Sequence, residues 1–331
     1  GEILPRAYVT GETIASVLEV SGPALAASLL SGEPLQTQAA VVTRLNTLLD
    51  GCDGALATMA GFELALLDLA GKRMGFSLAS CLGEFRGPEL PAGVVIGFET
   101  KTDKLARYCA ILRLSKKRYV KVKVGLPDDV ERCRLVASVF GPDVPLRIDA
   151  NAAWTVDESV AALAALREVC TLHSVEQPVA REDIEGLAEV RRRSGVAVMA
   201  DESVCSLNDA EALIAAEAVD IFNIRPGKNG GVLGSRRLCD RALRAGVRVH
   251  LGTLVGETGI LSRAAEVLGR CQPGLDCLDG KGQNTWLLQQ DVLSSPNGTN
   301  ASSLDAHGLG IEVDAQRVST LRAQPPVSLR A

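Results

Sequence analysis

Histidine and aromatic residues are scarce in this 331-residue chain, and each scarcity removes a class of function. With only His173, His250 and His307, histidine-built zinc centres and serine–histidine triads lack their raw material. Aromatic residues make up 3% of the chain, so there are few platforms on which bases could stack. A net charge of −5 and an isoelectric point near 5.4 give no basic footprint for nucleic acid. No apolar run reaches the length that spans a bilayer, and nothing near the start has the form of a signal peptide. No Gly-x-Gly-x-x-Gly follows the first strand pattern, which disfavours a dinucleotide-binding sheet. The nine cysteines are scattered singly, several in apolar stretches (Cys52, Cys109, Cys170), without the close spacing of a zinc site. That usage suits a reducing, cytoplasmic setting, so no disulfide is expected between Cys271 and Cys277. The glycosylation sequons at Asn297 and Asn300 then read as inert matches.

What is present is globular: 47% hydrophobic and 23% charged. Strand-like stretches are predicted at 93–98, 118–124, 144–150, 171–176, 196–202, 218–225, 248–252 and 275–279. Amphipathic helical stretches lie between them, at 129–140, 156–170, 184–193, 207–216 and 232–245. Sustained βαβα alternation implies parallel strands with right-handed crossovers. About eight strands in about 190 residues favour a closed barrel over an open sheet. The reading divides the chain into a flanking unit at 1–90, an α/β barrel at 91–285 and a C-terminal segment, 286–331, that returns to the flank. The flank is helical and rich in alanine and leucine at 10–49 and 55–81, which makes self-association into a homo-oligomer an expectation. The chain opens on Gly1-Glu2-Ile3 rather than Met, so the first strands of this flanking cap are expected to be missing.

Three lone carboxylates close three successive strand patterns: Asp149, Glu176 and Asp201, spaced 27 and 25 residues apart. That spacing is about one βα unit. Three hard oxygen ligands meeting at a barrel mouth suit Mg²⁺. Lys121 and Lys123 end the strand one unit earlier, and the alternation of Tyr119-Val-Lys-Val-Lys-Val-Gly125 puts both lysines on one face. Arg147 and Asp149 share a face in the same way, as do Asn223 and Arg225. Charged groups inside a barrel are too costly unless paired or metal-bound, so four polar strand ends point to a site rather than to filler. Asp201 rather than Glu202 is read as the inward acid, and Gln177-Pro178 as strand termination.

Several residues carry two readings. Asn151 either touches a ligand or caps the following turn, and Glu257 is either a helix N-terminal partner or a site carboxylate. The glycine-rich stretch 226–234 is a tight βα loop or, less often, a phosphate cradle. His250 is read as a packed strand histidine ahead of a catalytic one.

Taken together, Lys121-Val-Lys123, Asp149-Ala-Asn151, Glu176-Gln-Pro178, Asp201-Glu-Ser203 and Asn223-Ile-Arg followed by Gly230-Gly231 resemble the enolase superfamily, in its muconate-lactonizing-enzyme branch. The likeness extends to the helical stretch at 61–83 with Ala65-Leu-Leu-Asp-Leu-Ala-Gly-Lys72. Each motif is weak alone; their order and spacing are specific. The resemblance implies a modified (β/α)₇β barrel under an α+β cap, with Asp149, Glu176 and Asp201 binding an essential Mg²⁺. Lys123 would then be the acid/base that moves a proton α to a substrate carboxylate, with Lys121 beside it lowering its pKa. Asn223 and Asp279 would contact the substrate.

One residue departs from the pattern. Members that racemise carry a second lysine where this chain has Arg225, and arginine makes a poor base. Either Lys228 reaches in from its loop as the second base, or Lys123 works alone with Arg225 as an electrostatic clamp. At the eighth strand the dipeptide epimerases of this branch carry Asp-x-Asp, whereas this chain has Asp276-Cys-Leu-Asp279, which makes recognition of an ammonium less expected. The resulting expectation is an Mg²⁺-dependent isomerase, of cycloisomerase or racemase/epimerase type, acting on a small carboxylic acid. A lyase performing syn elimination and a metal-binding barrel without catalysis are the alternatives, and neither nucleic acid nor membrane is an expected partner.

Overall fold

The computed structural model describes residues 1–52, 54–99, 101–295 and 303–322; the sequons at Asn297 and Asn300 lie outside them. Eight parallel strands close into a barrel in chain order. They are β1 (Ala92–Ile96), β2 (Val120–Lys123), β3 (Leu146–Asp149), β4 (Leu172–Glu176), β5 (Val198–Ala200), β6 (Ile221–Ile224), β7 (Arg248–Leu251) and β8 (Leu275–Asp279). Each of the first seven leads into a helix: Thr102–Leu114, Asp129–Phe140, Val156–Arg167, Ile184–Ser194, Leu207–Ala215, Gly231–Arg244 and Gly259–Cys271. Directly after β8 the chain makes a short 3₁₀ turn, Gln283–Thr285, and the next helix among the described residues is Ala315–Leu321 in the C-terminal segment, so the arrangement is (β/α)₇β.

Outward valines and isoleucines such as Val120, Val122 and Ile148 are fully buried beneath the helices. The opposite parity points inward, and register aligns it across strands: Val95 beside Lys121, Lys123 beside Asp149, Asp149 beside Glu176, and Asn223 beside His250. At β1 the barrel wall is as thin as a backbone permits. A Cβ on Gly93 would lie 1.9 Å from an Asp279 carboxylate oxygen, so only glycine fits there.

The flanking helices Gln38–Asp50 and Leu56–Met74 pack together and against the barrel helix Gly231–Arg244. Distant acids cap helix N-termini across this junction. Glu12 accepts from the Ala57 and Thr58 N–H groups, Glu63 from Val232 and Leu233, and Glu2 from Thr258 and Leu261. The segment that begins at Gly1 continues over the strand ends, where Arg6 donates to the Val255 carbonyl and Arg181 donates to that of Val9. The C-terminal segment reaches the helix Leu56–Met74 through the Leu309 N–H, which bonds Asp68, and through bridges at Ser77. Among the described residues no disulfide joins any of the nine cysteines, Cys271 and Cys277 included. Among the described residues no helix is long and apolar enough to cross a membrane.

Candidate active site

The C-terminal ends of β2 to β6 bring the polar side chains to one place. Lys121 is buried with its ammonium 3.0 Å from Glu176 Oε2, 3.3 Å from Asp149 Oδ2 and 3.3 Å from Asp279 Oδ2. Lys123 sits one layer higher and donates to Asp149 Oδ2 at 2.7 Å and to the Asn151 side-chain oxygen. Its side chain keeps 23% exposure against 5% for Lys121. Arg225 spans the far side, with Nη2 3.2 Å from Glu176 Oε1 and hydrogen-bonded to Asp201 Oδ2. Asn223 donates to Glu176 Oε1 at 2.8 Å. The three acids are almost wholly enclosed.

Their electrostatics diverge. Burial would push the Glu176 carboxyl up, but Lys121 and Arg225 hold it well below the usual carboxylate range. Asp149 moves up, through burial and then the charge of Glu176. Burial works against the Lys121 ammonium, yet Glu176, Asp149 and Asp279 keep it protonated far above an ordinary lysine. In place of a simple repulsion between neighbouring lysines, Lys121 is tied into the acid cluster.

The donor set fits a hard divalent ion. All the converging ligands are carboxylate oxygens; at the same strand end the buried Glu202 Oε2 accepts no hydrogen bond among the described residues, and Asp201 Oδ1 meets the Lys228 ammonium at 3.1 Å. Asp149, Glu176 and Asp201 are therefore the residues that could hold Mg²⁺.

Strand parity holds as far as the strands run. Past them it lapses: Glu202, expected to face away, is buried, accepts from Asn151 Nδ2 at 3.2 Å and has its carboxyl pushed up to about 7 by burial and by Asp201. Gln177, read as mere termination, adopts φ 39° and uses its amide to bind the Asp201 and Ser203 N–H groups and the Val179 carbonyl. It fixes the end of β4 to that of β5. A glutamine beside a proline at a strand end was the available signal.

Lys228 does not sit as a loop base should. It approaches Asp201 from behind, fully enclosed, donating to the Asp201 and Val204 carbonyls with Asp201 Oδ1 3.1 Å away. Its charge is spent on closing the loop after β5. Glu257 is buried, accepts from the Leu254 N–H at 2.6 Å beside the helix that begins at Gly259, and has its carboxyl pushed up to about 8 by burial, while its Oε2 accepts no hydrogen bond among the described residues. The glycine-rich stretch opens the helix Gly231–Arg244, but Glu63 already occupies that N-terminus, which leaves no place for a phosphate.

Below the mouth lies a second polar layer. Arg147 donates to Asp279 Oδ1 and Oδ2 at 2.5 and 3.1 Å and stands 2.6 Å from His250 Nε2. His250, Cys277 and Asp279 have the geometry of a metal triad, but His250 Nε2 already lies 3.1 Å from Asp279 Oδ2 and the Arg147 guanidinium contacts both. Cys277 and Asp279 share the inward face of β8; the Asp276 side chain lies outside the described residues. A cavity of about 550 Å³ opens onto this assembly, with Lys121, Lys123, Arg225 and Asp279 in its wall.

Residues 105–317 match the family described as Enolase C-terminal domain-like. The chain is 30% identical over 317 residues to an L-Ala-D/L-Glu epimerase from Clostridium acetobutylicum, covering 94% of this chain and 86% of that one. It is 28% identical over 298 residues to a chloromuconate cycloisomerase from Cupriavidus pinatubonensis, covering 88% of this chain and 78% of the other. Among solved structures, the dipeptide epimerase from Enterococcus faecalis V583 complexed with Mg and the dipeptide L-Leu-L-Tyr superposes with a TM-score of 0.79. That match is 28% identical and covers 94% of this chain and 87% of that one.

Proposed function

The chain belongs to the enolase superfamily, in its muconate-lactonizing-enzyme-like branch, and from that premise we propose that it is an isomerase that removes the proton α to a small substrate's carboxylate with Lys123 as its single base. The observation that carries this reading is the unequal fate of the cationic side chains. Among the cations bonded to Asp149, Glu176 or Asp201, Lys123 alone combines a neutralisable amine, partial exposure and a place in the cavity wall. Lys121 is locked among three acids, Lys228 is enclosed, and Arg225 stays charged.

Asp149, Glu176 and Asp201 would hold the Mg²⁺ found in the epimerase complex. The chemistry such an ion supplies when bound is positive charge against the enediolate that develops as the proton leaves. Lys121 and Arg225 add fixed positive charge on the two sides of the acids, preorganised and partly shielded from water. Lys123 takes the α-proton while the electron pair it leaves expels the substrate's own oxygen from the β-carbon to form the C=C bond. In the reverse direction it returns the proton to the face on which that oxygen added, with the Asn151 oxygen orienting its ammonium. Arg225 faces the cavity as a clamp for the anion rather than as a proton acceptor. Asp279, held by Arg147, His250 and Lys121, has no charge to spare for a substrate ammonium. A cycloisomerase-type, one-face reaction on a substrate without a free amine follows.

The test is solvent exchange. In ²H₂O with Mg²⁺, NMR of candidate carboxylic acids should show loss of one α-proton without inversion, and Lys123→Ala should abolish it. Exchange with inversion would overturn the one-base reading.

A further inference from the structure

The cavity at the mouth does not stop at the mouth. Its wall takes residues from both faces of β1: Gly93, Val95 and Gly97 share the inward parity of Lys121, whereas Ala92 and Val94 point outward. Beyond β1 it is bounded by Tyr108, Leu112 and Lys117 on one side and by Trp286 and Leu287 on the other. This is where a full (β/α)₈ barrel would lay its eighth helix, and here the chain after β8 makes only a 3₁₀ turn. The helix after β1 packs along helix Asp129–Phe140, so a chamber stays open beside the strand.

Its lining is unusual for this sequence. The chain has only six Phe, three Tyr and two Trp, and one of each stands here: Phe98, Tyr108 and Trp286, exposed by 53%, 43% and 70%. Large apolar side chains gathered around one chamber and left in water mark a binding surface. The chamber is continuous with Lys121, Lys123 and Arg225, so a molecule fixed there by a carboxylate has a path for its other end.

We propose that this chamber is a subsite for the apolar arm, an alkyl chain or ring, of a carboxylate held at the barrel mouth. The proposal rests on the mouth binding a carboxylate, as the proposed function requires, but not on any proton being moved. It makes the substrate a carboxylic acid with an extended hydrophobic substituent, and it makes Val94, Tyr108, Leu112 and Trp286 determinants of its length.

Calorimetry with Mg²⁺ and the straight-chain acids from butanoate to decanoate tests it. Affinity should rise about three- to fourfold for each added CH₂ until the chamber is full. In a Trp154→Phe background the emission of Trp286 should shift to the blue with the longer acids. Val94→Phe should flatten the series while leaving butanoate unchanged, and Tyr108→Ala should move the plateau to longer chains. Affinity independent of length, absence of binding by every acid, or a steep series that neither variant alters would overturn the subsite. Lys123→Ala separates the two readings, since it should keep the length series while α-proton exchange disappears. A length series in a protein that exchanges no proton leaves the subsite and removes the reaction; exchange without a length series does the reverse.

Discussion

Two layers of buried charge lie one above the other in this barrel, and they are built to different ends. In the lower layer Asp279 receives the Arg147 fork through both oxygens, with His250 Nε2 at 3.1 Å closing the side. In the upper layer Asp149, Glu176 and Asp201 share Lys121, Lys123 and Arg225, Asp201 Oδ1 faces the Lys228 ammonium at 3.1 Å, and Glu202 Oε2 lacks a hydrogen bond among the described residues. Arg147 Nε is also without a hydrogen bond among the described residues, so the layers differ in their acids: both oxygens of Asp279 are bonded, whereas an acid oxygen left without a hydrogen bond is available for chemistry. The difference cannot be read from burial, which is nearly complete in both layers.

The strongest way to break the contrast is to remove one member from each layer. Lys123→Ala should lower the rate of α-proton exchange by about 10²–10⁴-fold while thermal unfolding stays close to that of the parent. Arg147→Met should do the opposite, costing about 3–5 kcal/mol in urea unfolding by leaving Asp279 Oδ1 without its Arg147 partner. A large stability loss from the first or a negligible one from the second would mean that the layers are not distinct.

Arg225→Lys sharpens the upper layer. A neutralisable amine at the end of β6 should let deuterium arrive with inversion, a product the parent does not make, at a rate within about two orders of magnitude of the parent's exchange. Continued exchange on one face would show that position alone does not create a second base.

Outside the barrel, Glu63 offers a comparison with Glu176. Both are fully buried, but Glu63 meets only two N–H groups, and burial pushes its carboxyl up to about 8. Between its unfolded value near 4.5 and about 8 the folded state binds the extra proton, so stability falls as pH rises through that window. Glu63→Gln should remove its share of the slope, at most about 1.4 kcal/mol per pH unit, and leave the same-signed shares of Glu202 and Glu257, as measured by urea midpoints at pH 5 to 8. At the smallest end, Arg241→Ala removes an exposed pair with Glu211 and should cost under about 1 kcal/mol with no effect on exchange.

Strand order and the inward parity of Lys121, Asp149, Glu176 and Arg225 were legible in the order of residues, whereas the absence of an eighth helix came only with the family resemblance. A period of two and a period of 3.6 are local properties, and a parallel barrel converts them directly into inside and outside. Positions beyond the last strand residue were not legible. Gln177 turns through φ 39° to bind two N–H groups of the next strand end, Glu202 folds back under Asn151, and Lys228 ends behind Asp201 rather than in front of it. Loops carry no period, and the direction of their side chains is decided by which buried polar groups still need partners once the strands have met. The chamber beside β1 belongs to the same class. Val94, Tyr108, Leu112 and Trp286 are ordinary apolar residues in the sequence, and only barrel closure, which joins β8 to β1 without a helix to cover them, makes them one surface.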